Sequence, residues 1–317
     1  MKKYIDKILT GIEELDLGKQ PIELYEPLRY ILSLGGKRLR PALTLMAYKI
    51  FKDDFEKALM PALSVEVFHN FTLMHDDIMD EAPLRRGKTT VHEKWDANVA
   101  ILSGDVMLVK AYELLAEADS EYLKDVLKKF NVCAAEVCEG QQYDMNFETE
   151  DTVQVEEYVN MIRLKTAVLL GYALELGAIL AGASESDAKH LNNFGQYVGI
   201  GFQLKDDLLD VYGDAAKFGK QVGGDILCNK KTFLLIRALE KAEGDTKKEL
   251  KEWLSESNRD AEKVAGVTAI YNALGIKEET EVEIQKYFDK GLSELSKLSG
   301  DTSELHGFAM SLMAREN

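Results

Sequence analysis

Little in this chain of 317 residues suits an oxidising compartment, a β-sheet or a membrane span. Cys133, Cys138 and Cys228 are its three cysteines. An odd number without metal-ligand spacing reads as reduced thiols in a cytoplasmic protein, and argues against a disulfide framework or a zinc site. Proline occurs five times; beside long segments of helical period, that scarcity predicts an all-helical protein, read here as a single domain over residues 1–317. No long uninterrupted apolar run is present. The most apolar stretch, residues 166–183, is broken by Glu175 and filled with Gly and Ala, so a buried helix is expected there and no integral membrane segment. The start, Met-Lys-Lys-Tyr-Ile-Asp, lacks the apolar core of a signal peptide. Positive charge is also short: 39 Lys and Arg against 55 Asp and Glu leave a net −16. That balance argues against a nucleic-acid surface and against electrostatic attachment to anionic lipid.

What the chain does carry is two rows of carboxylates. Asp76 and Asp80 stand four residues apart at the end of an apolar helix, hence on one face, with Asp77 to the side. Asp206, Asp207 and Asp210 repeat that spacing inside a second apolar stretch. Neither row has the alternating ligands and central glycine of a calcium loop. Six carboxylates on facing helices repel one another unless multivalent cations lie between them, and Mg²⁺ suits a few carboxylates completed by phosphate oxygens. A solvated acidic helix end would account for one row alone; two rows in one register, each flanked by basic residues, favour the metal.

In an acidic background the basic clusters carry information. Residues 2–34 read as two amphipathic helices broken near Gly18 and Pro21. Gly35-Gly36-Lys37-Arg38-Leu39-Arg40-Pro41 follows, where glycines permit close backbone approach and Pro41 suits the first turn of the next helix, whose free N–H groups attract anions. Lys37 and Arg40 would face one phosphate group. Pro61 starts or kinks the helix that ends at Asp80, and His69 lies two turns before Asp76 on about the same face. Just past the carboxylates, the loop Glu81 to His92 carries Arg85 and Arg86, suited to bidentate phosphate contacts. Residues 97–118 and 122–147 read as long buried helices whose Asp105 and Asp144 stand among apolar neighbours and could support a site. Residues 155–181 hold Lys165-Thr166, and 186–212 hold Gln203 and the second row. The glycine-rich 213–231, with Lys220, Asp225 and Lys230, reads as a lid. Helices over 232–315 show no chemical constellation and are assigned to packing.

Together, Gly35 to Pro41, His69 with Asp76 to Asp80, Arg85 to His92, Lys165-Thr166, Phe202 to Asp210 and Gly219 to Thr232 resemble the trans-isoprenyl diphosphate synthases, in that family's order. The resemblance implies an all-α bundle of long, mostly antiparallel helices around a deep central cavity, a homodimer, and about three Mg²⁺ ions. By position it implies Asp76 and Asp80 as ligands of two ions and Asp206 of a third, with Asp77, Asp207 and Asp210 as outer ligands or water holders. Arg85, Lys165, Lys220 and Lys230 would hold the allylic diphosphate, the dimethylallyl, geranyl or farnesyl ester. Gly36, Lys37, Arg40, His69 and Arg86 would hold isopentenyl diphosphate. Thr166 and Gln203 would stabilise the allylic cation, beside Lys165 and Lys220 as catalytic groups. The final residues, Met313 to Asn317, are not clearly the basic tail that closes the site in some relatives.

Product length would follow from the cavity floor below Asp76. Phe71 and Phe68 lie five and eight residues back along the helix, roughly 7.5 and 12 Å deeper, with the small Thr72 between Phe71 and the acidic row. An aromatic five before the row, a small residue four before it and no insertion within it resemble the geranylgeranyl type; farnesyl diphosphate is the rival product. A class I terpene cyclase or head-to-head synthase would share the aspartates without needing Lys37, Arg40 and His69. A non-catalytic subunit would be expected to have lost motif residues, and a metal-buffering protein would need no arginines beside its ligands.

Overall fold

The computed structural model describes residues 1–213 and 223–315. Its elements are helices joined by short connections, with one two-stranded exception among the described residues. Helix α1 (Lys2–Glu14) buries Tyr4, Ile8 and Gly11 on one stripe. α2 (Ile22–Ser33) follows Pro21, and α3 (Leu39–Phe51) takes Pro41 in its first turn, where the missing N–H costs no helical bond. α4 (Leu59–Met79), with Pro61 likewise near its start, packs extensively against α6 (Ala97–Leu115). The Asp96 carboxylate caps α6 by accepting from Val99 N at 2.9 Å. Between them, β1 (Leu84–Arg85) and β2 (Lys88–Thr89) pair antiparallel, Leu84 with Thr89 and Arg85 with Lys88. Arg86 and Gly87 both take left-handed φ, 53° and 74°, the geometry of a tight hairpin turn.

α7 (Ser120–Thr149) and α8 (Val155–Ile162) come next. The stretch expected as one helix over 155–181 contains instead a π-helical turn, Arg163–Ala167, ahead of α9 (Val168–Leu180). α10 (Glu185–Tyr212) matches the expected 186–212. Part of the expected lid, residues 214–222 with Lys220, lies outside the described residues; Gly224–Leu227 is a short helical turn. Phe233–Lys241, Gly244–Ser255, Asp260–Ala273, Ile276–Leu295 and Ser303–Met313 complete the helices.

The contacts divide into two compact units. The first comprises residues 1–133, 169–192 and 298–305. Its core includes an aromatic stack in which Phe130 meets Phe68 and Tyr112, each with ring centroids 5.0 Å away, and Tyr172 at 5.7 Å. The second comprises 134–168, 193–297 and 306–317, and buries Tyr158, Phe194 and Phe288.

Candidate active site

In the first unit the acidic row closes α4. Asp76 is half-buried, Asp80 is the exposed C-cap residue, and Asp77 is buried. Arg85, brought back by the hairpin, answers them. Its Nε donates to both Asp77 oxygens at 2.8 Å, and a terminal nitrogen lies 2.7 Å from Asp77 Oδ1 and 3.3 Å from Asp76 Oδ2. Burial works against the Arg85 charge, but Asp77, Asp76 and Asp80 outweigh it and hold the guanidinium above its ordinary pKa. Arg85 thus rests on the row itself, a fixed cation at its edge.

The basic loop stands in the same unit. Gly35 and Gly36 take φ of 81° and 130°. Arg86 donates to the Gly35 carbonyl and lies against Gly36, where a Cβ would fall 2.9 Å from the guanidinium carbon; the φ of 130° is what favours glycine there. Lys37 is exposed, whereas Arg40 reaches inward, its Nη1 3.1 Å from His69 Nε2. Burial, then the charges of Arg40, Arg86, Arg85 and Arg38, push the His69 pKa well below its usual value, so the ring is neutral at neutral pH. Burial also lowers Arg40 to about 10, with Glu66 pulling the other way. Several guanidiniums crowded round a neutral imidazole form a place where an arriving anion relieves electrostatic stress.

In the second unit, α10 sets out the other row. Asp206 Oδ1 accepts from Arg315 at 2.7 Å, and the same guanidinium lies 5.4 Å from the Phe202 ring centroid. Residues 232–315 are therefore not packing alone. Asp207 is buried, accepts from the Tyr158 hydroxyl and takes a hydrogen bond from Gln203 Nε2 at 3.2 Å. Burial, then the charge of Asp225, raises it to about 7. Asp210 Oδ2 accepts from Asp225 N at 2.9 Å and so anchors the Gly224–Leu227 turn.

Lys165 and Thr166 ride on the π-turn, both half-buried. The turn is wedged from two sides. A Cβ at Gly140 of α7 would overlap the Lys165 backbone nitrogen, and one at Gly199 of α10 would lie 2.7 Å from Ala167 Cβ. Lys165 Nζ donates to Asp144 Oδ2 at 2.6 Å, and Lys230 Nζ lies 3.9 Å from the same oxygen. Burial opposes the Asp144 charge, but Lys230 and Lys165 prevail and hold its carboxyl below the usual range. The other polar residue singled out in the helices, Asp105, is exposed. Among the described residues no three acidic, histidine or cysteine side chains cluster tightly enough to hold a metal ion by themselves.

The residues expected to set chain length divide by environment. Phe68 is buried in the aromatic stack. Phe71 is half-buried, its ring 5.6 Å from Phe68 and 4.7 Å from His75. Thr72 turns its hydroxyl back to the His69 carbonyl at 2.8 Å. Sequence reasoning missed Tyr158, Glu66, Asn70 and the site-directed parts played by Arg38 and Arg315. Polar residues among apolar neighbours, Glu66 and Asn70 within α4, were the available signal for the contacts around Arg38.

A family model for polyprenyl synthetase matches residues 21–274. A geranylgeranyl pyrophosphate synthase of Geoglobus acetivorans is 47% identical over 232 residues, 72% of this chain and 72% of its own. A geranylgeranyl diphosphate synthase of Sulfolobus acidocaldarius is 34% identical over 319 residues, covering 98% of this chain and 96% of its own. The crystal structure of a geranylgeranyl pyrophosphate synthase matches with a TM-score of 0.95 at 44% identity, over 100% of this chain and 99% of that one.

Proposed function

The chain belongs to the polyprenyl synthetase family, and from that premise we propose that it joins isopentenyl diphosphate head to tail to allylic diphosphates, releasing geranylgeranyl diphosphate. It is a prenyltransferase. The dimethylallyl, geranyl and farnesyl esters are the starters this reading allows. The observation that carries it is the nest of Arg40 and Arg86 around a neutral His69, in the same unit as the Asp76 row. An enzyme that only ionises one diphosphate needs the row; one that holds a second, non-ionising diphosphate needs the nest as well.

The donors of the acidic rows are all carboxylate oxygens, the chemistry Mg²⁺ favours beside substrate phosphates. Asp76 and Asp80 would hold two such ions and Asp206 a third, about three in all. When bound, they supply positive charge to the departing diphosphate. Lys165 and Lys230, already pinned on Asp144, add fixed charge for the allylic ester, as does Arg85 on Asp77. Gly36, Lys37, Arg40, His69 and Arg86 hold isopentenyl diphosphate. Its double bond attacks the allylic carbon, the C–O bond to diphosphate breaks, and the proton lost goes to the departing diphosphate. Thr166 and Gln203 flank the cation, and Phe71, with Phe68 behind it, sets the floor.

We place the enzyme in the cytoplasm as a homodimer in which residues 1–317 work as one catalytic domain. Ile101, Leu102, Val109 and Tyr112 are exposed on α6, an apolar surface that a second copy would cover. Among the described residues no helix is long and apolar enough to cross a membrane. The test is purified protein with Mg²⁺, isopentenyl diphosphate and each starter in turn, with the dephosphorylated alcohols separated by chromatography. A twenty-carbon alcohol is expected. A fifteen-carbon end product would make it a farnesyl diphosphate synthase, and a hydrocarbon from farnesyl diphosphate alone would make it a cyclase. No condensation without a partner protein would make it a subunit.

A further inference from the structure

Beneath the basic loop lies a buried polar network whose hydrogen bonds run among Arg38, Glu66, Asn70 and the carbonyl of Leu32. Arg38 is the N-cap of α3 and takes a left-handed backbone, φ 49° and ψ 37°, which a side chain other than glycine adopts only when its surroundings hold it there. Only 4% of Arg38 is exposed. One arm of its guanidinium donates to Glu66 Oε1 on α4, the other to the carbonyl of Leu32 in the last turn of α2. Asn70, one turn beyond Glu66, donates to Glu66 Oε1 at 3.0 Å and to the Glu66 carbonyl at 2.8 Å. Glu66 and Asn70 are both buried. Arg38 therefore fastens three helices at the point where the chain turns from Gly36 into α3.

We propose that Arg38, Glu66 and Asn70 are positioning residues for isopentenyl diphosphate: they fix the backbone of residues 35–40 so that Lys37 and Arg40 converge on one diphosphate. The inference rests on the reading of that loop as the isopentenyl diphosphate site. Within the loop, Arg38 points inward while Lys37 is left exposed and Arg40 meets His69. A lysine in place of Arg38 keeps the charge but loses the planar fork that spans Glu66 and Leu32 together. Glu66 has a second effect, since it is the carboxylate that favours the charged form of Arg40. Removing its charge while keeping its shape separates geometry from electrostatics.

The test compares wild type with Arg38→Lys, Glu66→Gln and the double substitution Arg38→Met with Glu66→Leu. Each is assayed for the KM of isopentenyl diphosphate, the KM of farnesyl diphosphate and thermal midpoint, with calorimetric binding of isopentenyl diphosphate in the absence of metal. Arg38→Lys should raise the KM for isopentenyl diphosphate about tenfold or more while the farnesyl diphosphate KM stays within about twofold. The apolar double variant removes the buried charges as a pair and should recover the thermal midpoint, because a buried ion pair is often replaced by packed side chains without loss. Its isopentenyl diphosphate affinity should stay weak. Equal rises in both KM values, recovery of affinity along with stability, or an unchanged isopentenyl diphosphate KM in a folded variant each overturn the proposal. Wild-type protein that neither binds nor consumes isopentenyl diphosphate removes the functional reading and this inference together.

Discussion

Gly140→Ala is the substitution whose outcome the geometry determines most sharply. In an ordinary helix interior, alanine in place of glycine stabilises by about 1 kcal/mol. At Gly140 the added methyl would overlap Lys165 N and lie 2.6 Å from Leu164 C and Lys165 Cα. All three are backbone atoms, so no rotamer change relieves the clash. Moving Lys165 N from 2.1 Å to an ordinary contact of 3.4 Å requires α7 and the π-turn to part by about 1.3 Å, and overpacking of this kind costs about 1–3 kcal/mol, reversing the usual sign. The larger consequence is catalytic. The π-turn carries Lys165 and Thr166, and displacement of positioning groups by about 1 Å lowers turnover about a hundredfold, or about 2.7 kcal/mol of barrier. Gly307→Ala is the matched control, because nothing lies within 4 Å of a Cβ there. The assay is steady-state incorporation of labelled isopentenyl diphosphate beside thermal melts followed by helical circular dichroism. Gly140→Ala should melt a few degrees lower and turn over about a hundredfold slower; Gly307→Ala should melt no lower and keep its rate. Full turnover and an unshifted melt in Gly140→Ala would refute the wedge as the element that places Lys165.

Two further outcomes concern the same site, and a third concerns a buried lysine elsewhere. Asp76→Ala or Asp206→Ala should abolish turnover while the helical circular dichroism persists; a near-normal rate in either would remove that residue from the metal set. Phe71→Ala should lengthen the product, read by chromatography of the dephosphorylated alcohols, and an unchanged alcohol would mean that another side chain forms the floor. Lys263 is buried and donates to the carbonyls of Glu256 at 3.1 Å and Leu227 at 3.4 Å. Lys263→Met should therefore lower stability by about 1–3 kcal/mol by leaving acceptors unpaired, and a melt equal to wild type would show that those carbonyls are satisfied otherwise.

Helix placement was largely legible in the sequence, since periodicity and capping are local. The helix expected over 186–212 is Glu185–Tyr212, and that over 122–147 is Ser120–Thr149. The π-turn was not legible, because nothing in Arg163–Ala167 itself distinguishes it from α-helix. Its neighbours Gly140 and Gly199 come from distant segments. The partners of the charged residues were equally hidden. Arg315 and Asp206 lie 109 residues apart, Tyr158 and Asp207 49, and Arg38 and Glu66 28. The basic loop read from sequence as one patch of like charge; in space Arg38 turns in to Glu66 and Arg40 to His69.

By itself the sequence determined which chemistry the chain can offer: oxygen ligands at one-turn spacing, a glycine-led basic loop, and apolar helices on which to mount them. Those properties depend on residues within a few positions of one another, and helical geometry translates spacing into faces directly. Only the tertiary structure decided which charges are already spoken for, with Arg85 on Asp77, Lys165 on Asp144 and Arg315 on Asp206. A long charged side chain takes its partner from whichever helix packs beside it, and that neighbour is chosen by the burial of the whole apolar surface, not by the order of the chain.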